Sequence, residues 1–265
     1  MKVLKFVARV LTIPVLGHKR RKETREKLEE FLEILFLPEK SKCIRGFKKA
    51  CAYNASLPRD KFHIVSLGTN CFARMTLNLW ALKPRKNDGE PTMPFDLSVH
   101  PLDTVVAMLT TAFKGYFDDI KYAEDNHYWI NPKLHIQFVH DHENDKQVFI
   151  ERFQRRIKNL FDVMNDDKPC LFVCHVLGDA NPQKVNELYE FLAQRCKHKK
   201  FKLIVAVFNG TLGKCNENVK AYVRNFPYKD YSYMDKKIKF TKDGYAFEEE
   251  FVACCREELL KLLED

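Results

Sequence analysis

Short apolar runs alternate with amphipathic helical stretches along most of this chain, and that alternation constrains the fold more than any other feature. Runs at 62–67, 134–139, 169–176 and 201–208 have strand length. Phe72, Met75, Leu79 and Leu82 recur at helical spacing, and 101–113, 148–164, 182–196 and 248–263 read the same way. Pro101 suits a first helical turn, and Asp103 complements its dipole. A weaker strand is expected near 231–240. Strands separated by helices pair in parallel, with the helices covering both faces of the sheet. The expected class is therefore α/β: a mainly parallel sheet of about five strands with helices on both faces, plus a helical N-terminal extension. Residues 1–60 form that extension, with helices over 23–36 and 44–52 and Pro38 between them. Residues 61–265 form the α/β domain, entered through Pro58, Arg59 and Asp60.

The formal net charge is +9, and much of the excess sits at the start, where Lys2, Lys5, Arg9 and the basic run at 19–22 precede the first acid, Glu23. Leu4, Val7, Leu11 and Val15 fall on one side of that stretch, the pattern of an interfacial segment. Residues 1–22 are expected either to touch an anionic membrane surface or to form an ordinary core helix. Arg9, Pro14 and the basic run do not fit a signal peptide. No apolar run reaches the roughly 20 residues that a bilayer span needs. The basic residues are not interleaved with aromatics and no nucleic-acid module is present, so no nucleic-acid partner is expected. Nine cysteines, without a secreted-scaffold spacing or a CxxC pair, predict free thiols in a reducing compartment and no structural zinc. The expected location is cytoplasmic, peripheral on the inner face of the membrane if residues 1–22 bind it.

In parallel sheets, sites gather beyond the carboxyl ends of the strands. Residues 68–71, His140 with Asp141, 175–179, and Asn209 with Gly210 would lie there. Cys71 follows a glycine turn and opens a predicted helix. A helix amino end presents unpaired N–H groups and partial positive charge. Both favour a thiolate, and the same N–H groups can receive an oxyanion. A thiol nucleophile needs a base, usually histidine. His140 ends an apolar run, so its backbone should be fixed while its ring meets the crevice. His100, His135, His142 and His175 are rivals. Asp96, stiffened by Pro94 and Phe95, is the first candidate to orient the ring, with Asp141 and Asn209 as alternatives. Gly68, Asn70, Asp141 and Asn209 are expected on the oxyanion or substrate side.

Plainer readings stand beside these: Cys71 as a small core residue, Asp96 as a turn or cap. Cys170, Phe172 and Cys174 alternate on one strand, so both thiols share a face, for packing rather than metal binding. Arg152, Arg155, Arg156 and Lys158 make a basic helix face, expected to be solvated or to meet phosphate. The remaining glycines of a dinucleotide fingerprint and the P-loop lysine are absent. No cofactor and no metal is expected.

Ser66-Leu67-Gly68-Thr69-Asn70-Cys71, then Pro94-Phe95-Asp96, then His140-Asp141, then Glu151-Arg152-Phe153-Gln154-Arg155-Arg156-Ile157 leading to Leu171-Phe172-Val173, occur in that order. Over about 62–210 the chain resembles the bacterial family described as papain-like cysteine peptidases, domain of unknown function 1796 (DUF1796). The resemblance implies Cys71 as nucleophile and His140 as base, with Asp96 assisting. Leu97 stands where an aromatic often follows the aspartate, and Cys174 where an arginine often follows the strand; both departures bear on substrate contacts. The resemblance also implies a cysteine-bearing helix against an antiparallel barrel that carries the histidine, whereas the alternation implies a layered sheet. A nucleophile just after the first strand is also the layout of SGNH-type esterases, but Ile238 stands where their late Asp-x-x-His block has histidine. The leading expectation is a thiol hydrolase or acyl-transfer enzyme acting on a small-molecule, peptide or glycan substrate. The alternatives are a membrane-associated enzyme of bacterial surface-glycan assembly or modification, and a non-catalytic ligand-binding domain.

Overall fold

The computed structural model describes residues 4, 5, 7, 8, 18–235 and 240–264. Helices α1 (His18–Phe36) and α2 (Pro38–Ala55) precede the first strand. Pro38 ends the first and sits in the first turn of the second, where its missing N–H costs nothing. The chain then runs β1 (His63–Gly68), α3 (Phe72–Leu79), α4 (Leu102–Thr110), β2 (Lys121–Ala123), β3 (Tyr128–Asn131), β4 (Ile136–Phe138) and α5 (Lys146–Asn165). It closes with β5 (Cys170–Leu177), α6 (Pro182–Arg195), β6 (Phe201–Phe208), β7 (Val219–Arg224) and α7 (Lys242–Glu264).

The fold is α/β. A four-stranded sheet has the order β1-β5-β6-β7, and every neighbouring pair is parallel. Helices cover both faces. On one, Val65, Leu67, Phe172 and Val205 pack with Val105, Phe153 and Leu188 of α4, α5 and α6. On the other, Ile64, Leu171 and Ile204 pack with Phe72, Leu77, Phe251 and Leu259 of α3 and α7. Each large apolar side chain removed from water in these layers contributes about 2–3 kcal/mol. Strands β5 and β6 are buried on both faces, which is why their sequences are nearly continuous apolar runs.

Among the described residues the sheet has four strands, where about five were expected. The run at 134–139 does hold a strand, β4, but it pairs antiparallel with β3 in a separate three-stranded sheet of order β2-β3-β4. Conversely, β7 has no apolar run to announce it. It is an edge strand in which only Val219 and Tyr222 are buried. Described residues at 231–235 and 240 form turns rather than the expected weak strand, and 236–239 lie outside the described residues.

Helix α2 packs on the domain rather than standing apart from it. The Phe47 ring meets Trp80 edge-on at 4.9 Å, and Asn54 Nδ2 donates to the Trp80 carbonyl at 2.8 Å. Of the four apolar residues expected to face a membrane, Leu4 and Val7 are helical, while Leu11 and Val15 lie outside the described residues. Among the described residues, no helix is long and apolar enough to cross a membrane.

Candidate active site

β1 stops at Gly68, opposite His175 of β5. Gly68 has φ +112°, and a Cβ there would overlap the His175 carbonyl oxygen, so only glycine lets the chain leave the sheet here. Thr69 N–H then donates to that same carbonyl at 2.9 Å. The Asn70 side-chain oxygen accepts the Phe72 N–H at 2.8 Å, and Cys71 sits at the N-cap of α3. The expected glycine turn, strand end and helix start are thus one continuous device. Among the described residues, the N–H groups of Asn70, Cys71 and Ala73 have no acceptor.

Cys71 is buried, only 6% exposed. Its Sγ lies 3.5 Å from His140 Nε2 and 3.0 Å from the Tyr233 hydroxyl. His140 arrives from the small sheet: β4 ends at Phe138, and the turn closed by Asp141 N–H on the Phe138 carbonyl (2.9 Å) sets the ring over the sulfur. His140 itself is exposed. The protein around it still lowers its pKa below the usual histidine value. Partial burial is the main cause; Asp141 opposes the shift, and His142 and Arg156 add to it. A lowered value keeps the imidazole neutral at neutral pH, the form that can take a proton from a thiol.

The groups expected to orient His140 are engaged elsewhere. Asp96 is fully buried; its Oδ2 receives Arg74 of α3 and, at 2.7 Å, the Met93 N–H. Asp141 is held by Arg152 at 2.9 Å and by Arg156 at 2.8 and 3.2 Å. Asn209, with φ +54°, receives the Phe226 N–H at 2.7 Å and ties the end of β6 to the segment after β7. Among the described residues, none of the three hydrogen-bonds to His140. Arg152 and Arg156 are therefore not merely a solvated face. Their spacing, four apart on a helix, puts both on one side, where a single carboxylate can bridge them.

The rival histidines have other places. His100 and His175 are fully buried, and burial lowers the pKa of each to about 3. His100 Nε2 contacts the Tyr116 hydroxyl at 2.8 Å, and the His175 ring packs between Phe72 and Phe208. His142 bonds the His127 carbonyl. His135 is an exposed turn residue with φ +54°. Cys170 and Cys174 do share one face, inside the core formed with α4, α5 and α6. His175 follows on the opposite face of the strand, and no group of three potential metal ligands occurs among the described residues. All nine cysteines are free thiols. Burial raises the Cys174 thiol to about 12 and pushes Cys170 and Cys255 up as well, which makes them inert.

Tyr233 is the functional candidate that sequence reasoning missed. It stands at the tip of a β-turn closed by Asp235 N–H on the Ser232 carbonyl at 3.1 Å. Its ring meets Phe72 edge-on at 5.2 Å. Two residues earlier, Tyr231 donates to Glu248 of α7 at 3.0 Å, and the same buried carboxylate accepts Trp80 Nε1 at 2.6 Å. Glu248 thus ties the segment that bears Tyr233 to the carboxyl end of the helix that Cys71 opens. The clue available in the sequence was weak: three tyrosines, at 228, 231 and 233, in a stretch too polar for a strand.

Two cavities of about 520 Å³ lie at the amino ends of the strands, around Pro58, and one of about 820 Å³ lies along α6. Cys71, His140 and Tyr233 line none of these three. Comparison with protein-family models, curated proteins and solved structures finds no match to this chain.

Proposed function

We propose that this chain is a cysteine-nucleophile hydrolase or acyl-transfer enzyme, with Cys71 attacking a carbonyl and His140 as its base. The observation that supports it is the 3.5 Å approach of Cys71 Sγ to His140 Nε2, two residues 69 positions apart that follow strands of different sheets. That reach suits proton transfer from a sulfur. The reading agrees with the family resemblance drawn from the sequence motifs.

In this mechanism, His140 Nε2 takes the thiol proton as the sulfur bonds to the carbonyl carbon. The carbonyl π pair moves to oxygen, which the N–H groups of Asn70 and Cys71, unpaired among the described residues, receive in this reading. Collapse of the adduct expels the leaving group, which takes the proton back from His140. The thioester left on Cys71 is then attacked by water or another acceptor, whose proton His140 takes; the carbon–sulfur bond breaks and the Cys71 sulfur leaves, regaining a proton from His140.

Limited alkylation of the native chain with iodoacetamide near pH 7, read by mass spectrometry, tests this. Cys71 should be modified at least about tenfold faster than the partly exposed Cys51, Cys215 and Cys254. His140→Ala should remove most of that advantage, and Cys71→Ser should abolish turnover of an activated thioester. A Cys71 that reacts no faster than those three thiols overturns the proposal.

A further inference from the structure

Tyr233 is closer to the sulfur than His140 is, at 3.0 Å against 3.5 Å. We propose that Tyr233 is a catalytic residue of this site, donating its O–H to the Cys71 sulfur and stabilising the thiolate while His140 holds the proton. This rests on the reading of Cys71 and His140 as a nucleophile and its base.

Three observations support the assignment. First, Cys71 is only 6% exposed, so water can do little to solvate a charge on its sulfur. A buried charge needs protein donors, and a donor to an ionised acceptor makes the stronger class of hydrogen bond. Second, the hydroxyl is held in place. The ring packs edge-on to Phe72, the first residue of α3, and the 232–235 turn and the Tyr231–Glu248 bond fix the backbone on the amino side. A donor held before the charge appears does not have to be reorganised during reaction. Third, burial and the neighbouring sulfur both raise the Tyr233 pKa, so the phenol keeps its proton at neutral pH and acts as a donor. His140, by contrast, is less basic than an ordinary histidine, chiefly because it is partly buried.

The thiol hydrogen moves to His140 Nε2. The Tyr233 hydrogen stays on its own oxygen throughout and turns toward the sulfur as negative charge develops there. Once the sulfur has bonded to carbon the charge is on the former carbonyl oxygen, and the Tyr233 hydrogen bond to sulfur weakens. The tyrosine is neither oxidised nor ionised.

Tyr233→Phe keeps the ring against Phe72 and removes only the donor. Rates of Cys71 alkylation by iodoacetamide should fall about tenfold at pH 7, the effect of losing one hydrogen bond to a charged acceptor. At pH 10, where thiols are largely ionised, the variant and parent rates should converge. An unchanged or faster rate at pH 7 would show Tyr233 to be only a cover over the sulfur and would overturn the assignment. If Tyr233→Phe does not fold, as judged by circular dichroism, Tyr233→Gln and Tyr233→Leu ask the same question. Gln, which keeps a donor, should leave Cys71 several-fold more reactive than Leu does, and equal rates refute the role. The two failures are separable. A parent chain whose Cys71 is unreactive removes the thiol enzyme itself, whereas a reactive Cys71 indifferent to Tyr233→Phe removes only the tyrosine.

Discussion

At Cys71 a sulfur nearly closed to solvent has two partners from distant parts of the chain, His140 and Tyr233. Neither partner is near Cys71 in sequence, so their meeting reflects packing, not local propensity. The residue beside His140 shows how such a site is kept in shape. Asp141 is 1% exposed and sits between Arg152 and Arg156, whose side chains are 30% and 12% exposed. Buried carboxylates between two guanidinium groups are costly to disturb from one side, because the remaining charges lose their counter-ion. Asp141→Asn is expected to destabilise the fold by about 3 kcal/mol, the low end of that class because Arg152 still reaches water. Urea denaturation measures this; a midpoint within error of the parent would mean that the two arginines are solvated well enough without the carboxylate. The sequence offered Asp141 as an alternative to Asp96 for orienting His140 and as a substrate-side residue, because no local pattern tells a carboxylate which of its neighbours will reach it.

Helix α3 is only eight residues long, and its position depends on what precedes it. Gly68 passes so close to β5 that a side chain there would collide with the His175 carbonyl. Asn70 then satisfies the Phe72 N–H and sets Cys71 at the cap. Gly68→Ala imposes both a positive φ, worth about 1–3 kcal/mol, and a backbone overlap. It is expected to cost about 3 kcal/mol or more and to lower Cys71 alkylation along with stability, because the β1–β5 register and the turn are one element. Thermal unfolding beside the alkylation rate checks this. A variant as stable as the parent would show that the turn can relax without disturbing the strand. At its other end the helix is fastened through Trp80 to Glu248, which also holds Tyr231. Trp80 and Tyr231 are both neutral donors to that buried carboxylate, one just past the helix and one on the segment leading to Tyr233.

Across the whole molecule, the two cores on either face of the sheet each enclose a histidine, and both are neutral in the fold. His100 and His175 have pKa values of about 3, with burial the leading cause. In the unfolded chain each would titrate near 6.5. Below that pH the unfolded state binds protons that the folded state refuses, so stability is intact above pH 6.5 and falls as pH drops toward 3. Each histidine contributes about 1.4 kcal/mol per pH unit in that window, or about 2 kcal/mol by pH 5. Both nitrogens of His175 are buried without a hydrogen-bond partner among the described residues, so His175→Leu removes a titrating group without breaking a bond. The variant should lose less stability than the parent between pH 7 and pH 5, by about 2 kcal/mol in urea denaturation. Parallel losses in the two proteins would mean that His175 takes up its proton within the folded state.

The α/β class, the strands β1, β5 and β6, the helices α3 to α6 to within a few residues, α7 apart from its first six residues, and the Gly68–Cys71 turn were legible in the sequence. Each rests on local physics: period-two or period-3.6 burial, a glycine needed where the chain turns, a cap at a helix start. The edge strand β7 was hidden because it buries only two side chains, and β4 was assigned to the wrong sheet because an apolar run does not say with which strand it pairs. What only the tertiary structure decided is who meets Cys71. His140 comes from a small antiparallel sheet, Tyr233 from a turn between β7 and α7, and Asp96 and Asp141 are taken up by arginines from α3 and α5. Those encounters depend on how separate layers stack, and the periodicity of any one segment records only its own buried face, not which residues lie opposite.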